Sequence, residues 1–433
     1  MALTAATAIG PLPRTVIVLG LVSLLMDLSS ETIHALLPLF MVNVLGLGTV
    51  AIGLLDGGAE ALTLALKPWA GRWSDRMGKR KPLTIAGYGL SALAKPLFAL
   101  AGGVAAIAAA RVLDRLGKGI RGAPRDALIA DVTAPAQRGA AYGVRQALDT
   151  VGALLAPLLA AELLWLFSGD YRAVFWLACL PALAAVALLW LAVREPAVAD
   201  SAPSNVSATP EQQPIDSIDA SRPAVTLTVP RGADLPALPH EADLAALPRE
   251  FWLTVGFAVL LTLARPGEAF LILRGQSLAL GDYLSALLLA AMNLSYALSV
   301  WPVGHFFDRI GASKLLGFSL LFLLLSQGTL ALAATTWAVF AGALLWGLHL
   351  GFSQGVLAAL VAHHAPKTRR ATAFGYYALA VGLALLGNGA AFGAIWQRLS
   401  PGHAFACTSV MAMLTLLALW RWQRRRNNPA PAR

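Results

Sequence analysis

Twelve apolar runs, each of about 20 residues or more, restrict the fold of this chain more than any other feature. A helix rises 1.5 Å per residue, so about 20 residues cross the roughly 30 Å hydrocarbon core of a bilayer. The runs lie near residues 14–41, 49–72, 82–102, 105–130, 139–166 and 172–193, and near residues 250–273, 281–306, 313–334, 336–363, 371–397 and 402–422. Of the 433 residues, 58% are hydrophobic and 13% are charged, which is too apolar for one water-soluble core. The sequence therefore predicts an all-α membrane protein with twelve transmembrane helices, the first of them retained.

The runs form two sets of six, separated by residues 194–249, a stretch rich in Pro, Ser, Asp and Ala. That stretch has too little apolar surface to order itself. We expect an N-terminal six-helix bundle over residues 1–193, a disordered cytoplasmic linker over 194–249, and a C-terminal six-helix bundle with a basic cytoplasmic tail over 250–433.

The two halves also repeat in sequence. GRWSDRMG, starting at Gly71, recurs as GHFFDRIG from Gly304, and APAQRGAAYG from Ala134 recurs as APKTRRATAFG from Ala365. Two repeats at nearly the same offset indicate a duplication. Parallel halves of this kind place a solute site at their interface, near the middle of the membrane.

Positive charges mark one side of the predicted membrane protein. Lys and Arg concentrate in the loops after the second, eighth and tenth helices and in the C-terminal tail, whereas the opposite loops carry few or none. By the positive-inside rule, the termini and the linker are cytoplasmic. Topology thus accounts for most of the formal charge of +10, and no nucleic-acid partner is expected. The alanine-rich composition indicates a multi-pass protein of a bacterial inner membrane.

The repeated motif resembles the GxxxDRxGRR signature of the major facilitator superfamily, and the resemblance covers essentially the whole chain outside the linker. It implies the fold of that family, with two six-helix bundles related by pseudo-twofold symmetry. It also implies that the motif is a conformational latch and not a substrate site, although its charges could instead only fix topology. With two arginines of helix 4, the latch candidates are Gly71, Asp75, Arg76, Gly78, Arg121, Arg125, Gly304, Asp308, Arg309 and Gly311.

Helices 4 and 5 match further family patterns only in part. Helix 4 fits RxxQGxG at Arg111 and Gly117, whereas helix 5 carries GALLAPLLA from Gly152. The latter resembles the GxxxGPxxG pattern of the family's exchangers, with Ala156 and Ala160 in place of two glycines. This resemblance implies proton-linked export.

Burying an ionisable residue inside a membrane costs free energy, so such residues are functional candidates by default. On helix 1, Asp27, Glu31 and His34 stand at i, i+4 and i+7, which places them on one face. Acidic groups stacked with a histidine that titrates near neutrality are suited to proton uptake and release. With Glu60 and Asp149, these residues are the proton-coupling candidates. The alternative is that the carboxylates merely pair with arginines of helix 4.

Helix 4 carries a basic stripe that needs counter-charges, either from acidic residues of neighbouring helices or from a solute anion. Arg145 and Asp149, at i and i+4, are predicted to pair and to face the same cavity. In the second half, Glu268, Gln354 and Asn388 could hydrogen-bond a solute, although bonds between helices are the commoner role. The substrate-cavity candidates are Arg111, Asp114, Arg115, Lys118, Arg145 and Asn293.

The sequence thus predicts a secondary active transporter that works by alternating access, with proton-coupled export of a small organic solute. The alternative is proton-coupled uptake of an organic or inorganic anion. The chain contains no GxxxxGK[ST] or HExxH sequence and no cysteines at ligand spacing, so we expect no enzyme activity, no cofactor and no metal site. The expected partners are a small-molecule substrate, protons and the lipid bilayer, and we expect a monomer. A non-transporting receptor would have the same motifs, and a flux measurement separates the two.

Overall fold

The computed structural model describes residues 12–77, 79–134, 137–193, 247–365 and 370–427, all of which are helical or lie between helices. Nearly all of the predicted linker, and Gly78, lie outside the described residues. The helices of the first half are α1 Arg14–Asn43, α2 Thr49–Met77, α3 Lys81–Leu100, α4 Val104–Val132, α5 Arg138–Leu166, α6 Tyr171–Leu177 and α7 Cys179–Ala192. Those of the second half are α8 Arg249–Leu263, α9 Ala269–Ser277, α10 Asp282–Ile310, α11 Ala312–Leu332, α12 Thr336–His364, α13 Arg370–Arg398 and α14 Pro401–Asn427.

The prediction of an all-α membrane protein is confirmed, whereas the count of twelve spans is not exactly matched. Within the described ranges, ten helical segments are long and apolar enough to cross a membrane, with α6 and α7 counted together as one span. Two predicted spans fall short of this criterion. One is α4, whose charged residues lower its hydropathy, and the other is the seventh span, which is broken between α8 and α9.

The two halves meet along α2 and α13 and along α5 and α10. Glycines let α2 and α13 approach closely, because a Cβ atom on Gly53 would collide with the carbonyl oxygen of Gly389, and one on Gly389 with that of Gly53. At the other contact, Asn293 of α10 donates from Nδ2 to the backbone oxygen of Ala153 at 2.9 Å. Small residues and interhelical hydrogen bonds are the usual means of association where lipid removes the hydrophobic driving force.

A hydrogen-bonded network joins the halves at the end of the bundle where α1 finishes, which we call the Asn43 face. Asn43 Nδ2 donates to Asp282 Oδ2 at 3.2 Å, and Gln276 Nε2 donates to Asn43 Oδ1 at 2.6 Å. The Tyr171 hydroxyl also donates to Asp282. The opposite end, where α1 begins, is the Arg14 face.

Two arginines bind the carbonyl groups at the ends of helices near the Asn43 face. Arg172 donates to the backbone oxygens of Ala99 and Ala101 at 2.6 and 2.8 Å, at the end of α3. In the second half, Arg274 donates to the backbone oxygens that end α11, at 2.9 and 2.8 Å. The last carbonyl groups of a helix have no partner within it, so these two arginines have a structural role. They lie on the side of the membrane whose loops carry few Lys and Arg residues.

Candidate solute cavity

A cavity of about 410 Å³ lies between the two halves, which is within the range of small-molecule sites. It is lined from the first half by α1, α2 and α4, and from the second half by the α8–α9 break and by α9, α10, α12 and α13. Four acidic and four basic residues balance its formal charge. The ionisable lining residues are Glu31, His34, Asp56, Glu60, Arg111, Arg115, Lys118, Arg265 and Glu268.

The break in the seventh span brings two of these charges into the cavity. Pro266 and Gly267 follow Arg265, and a proline has no N–H group with which to continue a helix. The carbonyl groups freed at this point are bound by Asn388, whose Nδ2 donates to the oxygens of Thr262 and Arg265 at 3.1 and 2.7 Å. The break is therefore a built feature that presents Arg265 and Glu268 to the cavity.

Two ion pairs connect α2 and α4, and their residues are four positions apart on each helix. Arg111 Nη2 lies 2.7 Å from Asp56 Oδ1, and Arg115 Nη1 lies 2.9 Å from Glu60 Oε1. The Glu60 side chain is nevertheless 42% exposed, so it faces open space in the cavity. The predicted counter-charges for the basic stripe of helix 4 are thus present at these two positions.

His34 completes this group, because Arg115 Nη2 lies 2.6 Å from its Nε2. A guanidinium group can only donate, so this ring nitrogen is the acceptor and carries no proton in this arrangement. His34 and Glu31 line the cavity, as expected from their shared helix face. Asp27 lies outside the lining, and its Oδ1 is 4.0 Å from Arg121 Nη2.

Several charged side chains of the cavity have polar atoms without a hydrogen-bond partner or a counter-ion. Arg111 is 3% exposed, yet its Nε and Nη1 atoms have no hydrogen-bond partner among the described residues, and the same is true of Arg115 Nε. The ion pairs of the described residues also leave four cavity residues without a counter-ion within 4.0 Å. These four are Glu31, Lys118, Arg265 and Glu268.

A buried ion pair lies behind the cavity wall. Lys95 of α3 is 1% exposed, and its Nζ donates to Asp114 Oδ1 at 2.7 Å and to Ser30 Oγ at 2.8 Å. Asp114, predicted as a cavity residue, is therefore held by Lys95 and does not line the cavity. Sequence reasoning missed Lys95, although a lysine within an apolar run is itself a signal.

Two further cavity candidates are also placed elsewhere. Arg145 and Asp149 form the predicted pair, with Nη1 2.5 Å from Oδ2, and Arg145 Nε is 3.9 Å from Asp126 Oδ1. Neither Arg145 nor Asp149 lines the cavity, contrary to expectation. Asn293, which binds α5, is not a lining residue either.

The latch residues that the structure describes lie toward the Arg14 face, in the C-terminal parts of α2, α4 and α10 and at the turn before α11. Arg121 donates to Ser91 at 2.6 Å and stacks 4.6 Å from the ring centre of Tyr88, whereas Arg125 donates to Ser23 at 3.0 Å. Arg76 is exposed.

At one latch position the backbone conformation explains why the residue is glycine. Gly311 turns the chain between α10 and α11 with a φ of +83°, which favours glycine, whereas at Gly71 a Cβ atom would make only an ordinary contact with Ala123. The side chains of Asp75, Asp308 and Arg309, and the surroundings of Gly304, lie outside the described part of the structure.

Comparison with known proteins agrees with this architecture. The Major Facilitator Superfamily family model matches residues 19–273 and 252–433. An uncharacterized MFS-type transporter of Methanocaldococcus jannaschii is 28% identical over 415 residues, covering 94% of this chain and 94% of the relative. Multidrug resistance protein MdtH of Edwardsiella ictaluri is 31% identical over 170 residues, which is 39% of this chain and 41% of the relative. The crystal structure of the nucleoside transporter NupG has a TM-score of 0.69 at 11% identity, with 94% of this chain and 99% of that chain covered.

Proposed function

The chain belongs to the major facilitator superfamily of membrane transporters, and from this premise we propose that it exports a small organic solute in exchange for protons. The chain is a multi-pass transporter of small molecules and not an enzyme. Rocking of the two halves around the cavity would expose the solute to each side in turn.

The observation that carries this proposal is the pair of carboxylates that the two halves contribute to one cavity. Glu31 comes from α1 and Glu268 from the α8–α9 break, and neither has an ion-pair partner within 4.0 Å among the described residues. A carboxylate without a counter-ion in a membrane interior is stabilised by taking up a proton. Protonation would therefore favour closure of the cavity, and release would accompany opening. Asp27, His34, Glu60 and Asp149 remain secondary candidates.

One further observation supports export, because the partial likeness to a multidrug resistance protein favours efflux. The network at the Asn43 face holds the halves together at that end, so in this conformation the cavity would exchange solute with the Arg14 face, as transport in either direction requires. We assign the Arg14 face, with both termini and the linker, to the cytoplasm of a bacterial cell, because the basic loops lie on that side.

We also propose that the two copies of the repeated motif, together with Arg121 and Arg125, act as the conformational latch at the cytoplasmic face. The motif copies end α2 and α10, at the same end of the bundle. An arginine in such a position can bind different partners in the open and closed states. We expect the transporter to act as a monomer.

The test uses inverted membrane vesicles that are acidified inside by respiration, with acridine orange to report the pH gradient. Norfloxacin, which carries both a carboxylate and an amine, and the cations ethidium and benzalkonium are added in turn, and discharge of the gradient by any one of them reports exchange. We expect discharge in the wild type, loss in Glu31→Gln and Glu268→Gln, and no change in Glu162→Gln, an exposed glutamate outside the cavity. Gradient discharge that is equal in all four proteins would refute proton coupling through these carboxylates.

The second candidate is proton-coupled uptake of an anion, which the unpartnered guanidinium nitrogens of Arg111 favour. In this case an inward proton gradient should drive uptake of radiolabelled benzoate or sulfate into proteoliposomes. Lys118→Gln should reduce that uptake, whereas Lys314→Gln, at an exposed lysine that does not line the cavity, should not. Absence of gradient-driven uptake in the wild type would rule out these anions.

A further inference from the structure

We propose that the transported solute is amphoteric: it carries an anionic group, bound by Arg111 and Lys118, and a cationic amine, bound by Glu31 and Glu268. The inference rests on the proposed function, since it names the chemical class that the transporter moves. The charges of the cavity carry it, because their internal pairing is incomplete for both signs.

The anionic arm is defined by buried donors that lack acceptors. Arg111 uses Nη2 to bind Asp56 at 2.7 Å, and its Nε and Nη1 atoms remain without partners among the described residues. A buried N–H group without an acceptor is unfavourable, especially when it is charged. A carboxylate or phosphate can accept two parallel N–H bonds from one guanidinium group. Lys118, two turns further along α4, lines the same cavity and has no counter-ion within 4.0 Å among the described residues.

The cationic arm is defined by Glu31 and Glu268. The other charged or titratable groups around them in the cavity are His34, Lys118 and the pairs on α2 and α4 from the first half, and Arg265 from the second half. The acids on α2 are already bound to Arg111 and Arg115, which leaves Glu31 and Glu268 as the carboxylates without an ion-pair partner within 4.0 Å among the described cavity residues. An ammonium group has three donors and can bind both carboxylates at once. Because each half supplies one carboxylate, this contact would also draw the halves together.

A solute of one charge sign would satisfy only one of these arms. When the cavity closes, the other arm would remain desolvated and uncompensated, which is costly away from water. In the proposed exchange, protons and the amine of the solute would compete for the same carboxylates. That competition is the exchange that the proposed function requires.

The walls of the cavity indicate that the two charges are carried on an organic skeleton. Phe270, Ile272, Leu289 and Val381 provide apolar surface in the lining of the cavity. A volume of about 410 Å³ holds a small organic molecule and is far larger than a single inorganic ion needs.

The test compares three probes with the same six-carbon chain: 6-aminohexanoate, hexanoate and hexylammonium. The melting temperature of the purified full chain is followed at pH 7.5 over increasing probe concentration, because a ligand that binds only the folded state raises it by mass action. We expect 6-aminohexanoate to stabilise at lower concentration than either single-charge probe. Its apparent affinity should be weaker at pH 5.5, where protons compete for the carboxylates.

Two variants assign the arms without removing a paired residue. Lys118→Gln should weaken 6-aminohexanoate binding about tenfold and abolish the response to hexanoate, and Glu268→Gln should do the same for 6-aminohexanoate and hexylammonium. The matched controls are Lys314→Gln and Glu162→Gln, which lie outside the cavity and should bind all three probes as the wild type does.

The proposal is overturned if a single-charge probe stabilises as well as 6-aminohexanoate, if both arm variants bind it unchanged, or if none of the three probes stabilises the wild type. Failure of the transport proposal would be separate. Binding of 6-aminohexanoate with the expected variant pattern, but without discharge of a pH gradient in vesicles, would leave the ligand class standing and remove the exporter. Gradient discharge by a singly charged probe, unaffected by Lys118→Gln, would keep the exporter and remove the amphoteric class.

Discussion

Replacing Lys95 with methionine should destabilise this protein more than any replacement of an exposed lysine. Lys95 is 1% exposed and Asp114 is 3% exposed, and their side chains meet at 2.7 Å. Lys95→Met keeps the length and most of the volume of the side chain but removes the charge. The Asp114 carboxylate is then left buried without the cation that binds it, and Ser30 loses a donor.

The magnitude follows from the burial of the pair. Removing one partner of a buried ion pair costs about 3–5 kcal/mol, because the remaining charge stays desolvated. Arg115 and Arg121 also attract Asp114, so we expect the lower end of that range, about 3 kcal/mol. Replacing both partners with apolar residues removes the uncompensated charge, and such exchanges are often neutral or stabilising. The double variant Lys95→Met/Asp114→Leu should therefore recover most of the lost stability.

The assay is reversible unfolding in mixed micelles with increasing dodecyl sulfate, applied to both single variants, the double variant and Lys314→Met as the exposed control. The four free energies of the cycle give the coupling of the pair. A loss below about 1 kcal/mol for Lys95→Met, or a double variant as unstable as the sum of the singles, would refute the reasoning, because the pair would then not be a desolvated unit.

Three further predictions concern the contacts that hold the halves and the helix ends. Gly53→Ala places a methyl group against a backbone carbonyl of α13 and should lower the unfolding free energy by about 1–3 kcal/mol in the same assay. The control Gly58→Ala, whose methyl group would lie 3.6 Å from a leucine side chain, should lower it little. Equal losses in the two variants would contradict this prediction. Asp282→Asn weakens the network at the Asn43 face and should make the cavity more accessible from that face. The reporter is Ile272→Cys in the cavity wall, in a background without native cysteines, which should react several-fold faster with an impermeant maleimide applied to that face. An unchanged reaction rate would contradict the role of the network in closing this end. Arg274→Gln removes charge-assisted hydrogen bonds to the end of α11 and should lower the unfolding free energy by about 1.5–3 kcal/mol. The unfolding free energy of Arg274→Lys should lie between those of Arg274→Gln and the wild type. Equal stability of Arg274→Gln and the wild type would exclude a structural role for Arg274.

Some features of the cavity had a local signal in the sequence, and others had none. Glu31 and His34 were found because an i, i+3 spacing places both on one helix face, and Arg111, Arg115 and Lys118 because they are charges within a predicted span. Lys95, a charge within an apolar run, carries the same signal. The break that presents Arg265 was also visible, as the Pro266–Gly267 pair inside an apolar run.

The placement of other candidates could not be obtained in this way. Asp114 is next to the cavity residue Arg115 in sequence, yet its neighbour in space is Lys95, on a different helix. Arg145 and Asp149 were predicted to pair from their spacing, but whether α5 lines the cavity depends on how α5 packs against α1 and α10, and no residue of α5 is among the lining residues. A rotation of one helix by one residue changes which side chains line a cavity, and it leaves the apolar pattern almost unchanged.

The sequence by itself determined that the chain is helical, that it lies in a membrane, and that its two halves repeat, because hydrophobic run length, loop charge and internal repetition are properties of the chain read in order. Only the tertiary structure decided which charges neutralise each other and which remain free in the cavity. Asp56 and Arg111, or Lys95 and Ser30, are far apart in sequence, and they meet only after the helices have packed. The physical reason is that ion pairing depends on distances of a few ångströms between side chains of different helices, and hydropathy carries no information about those distances.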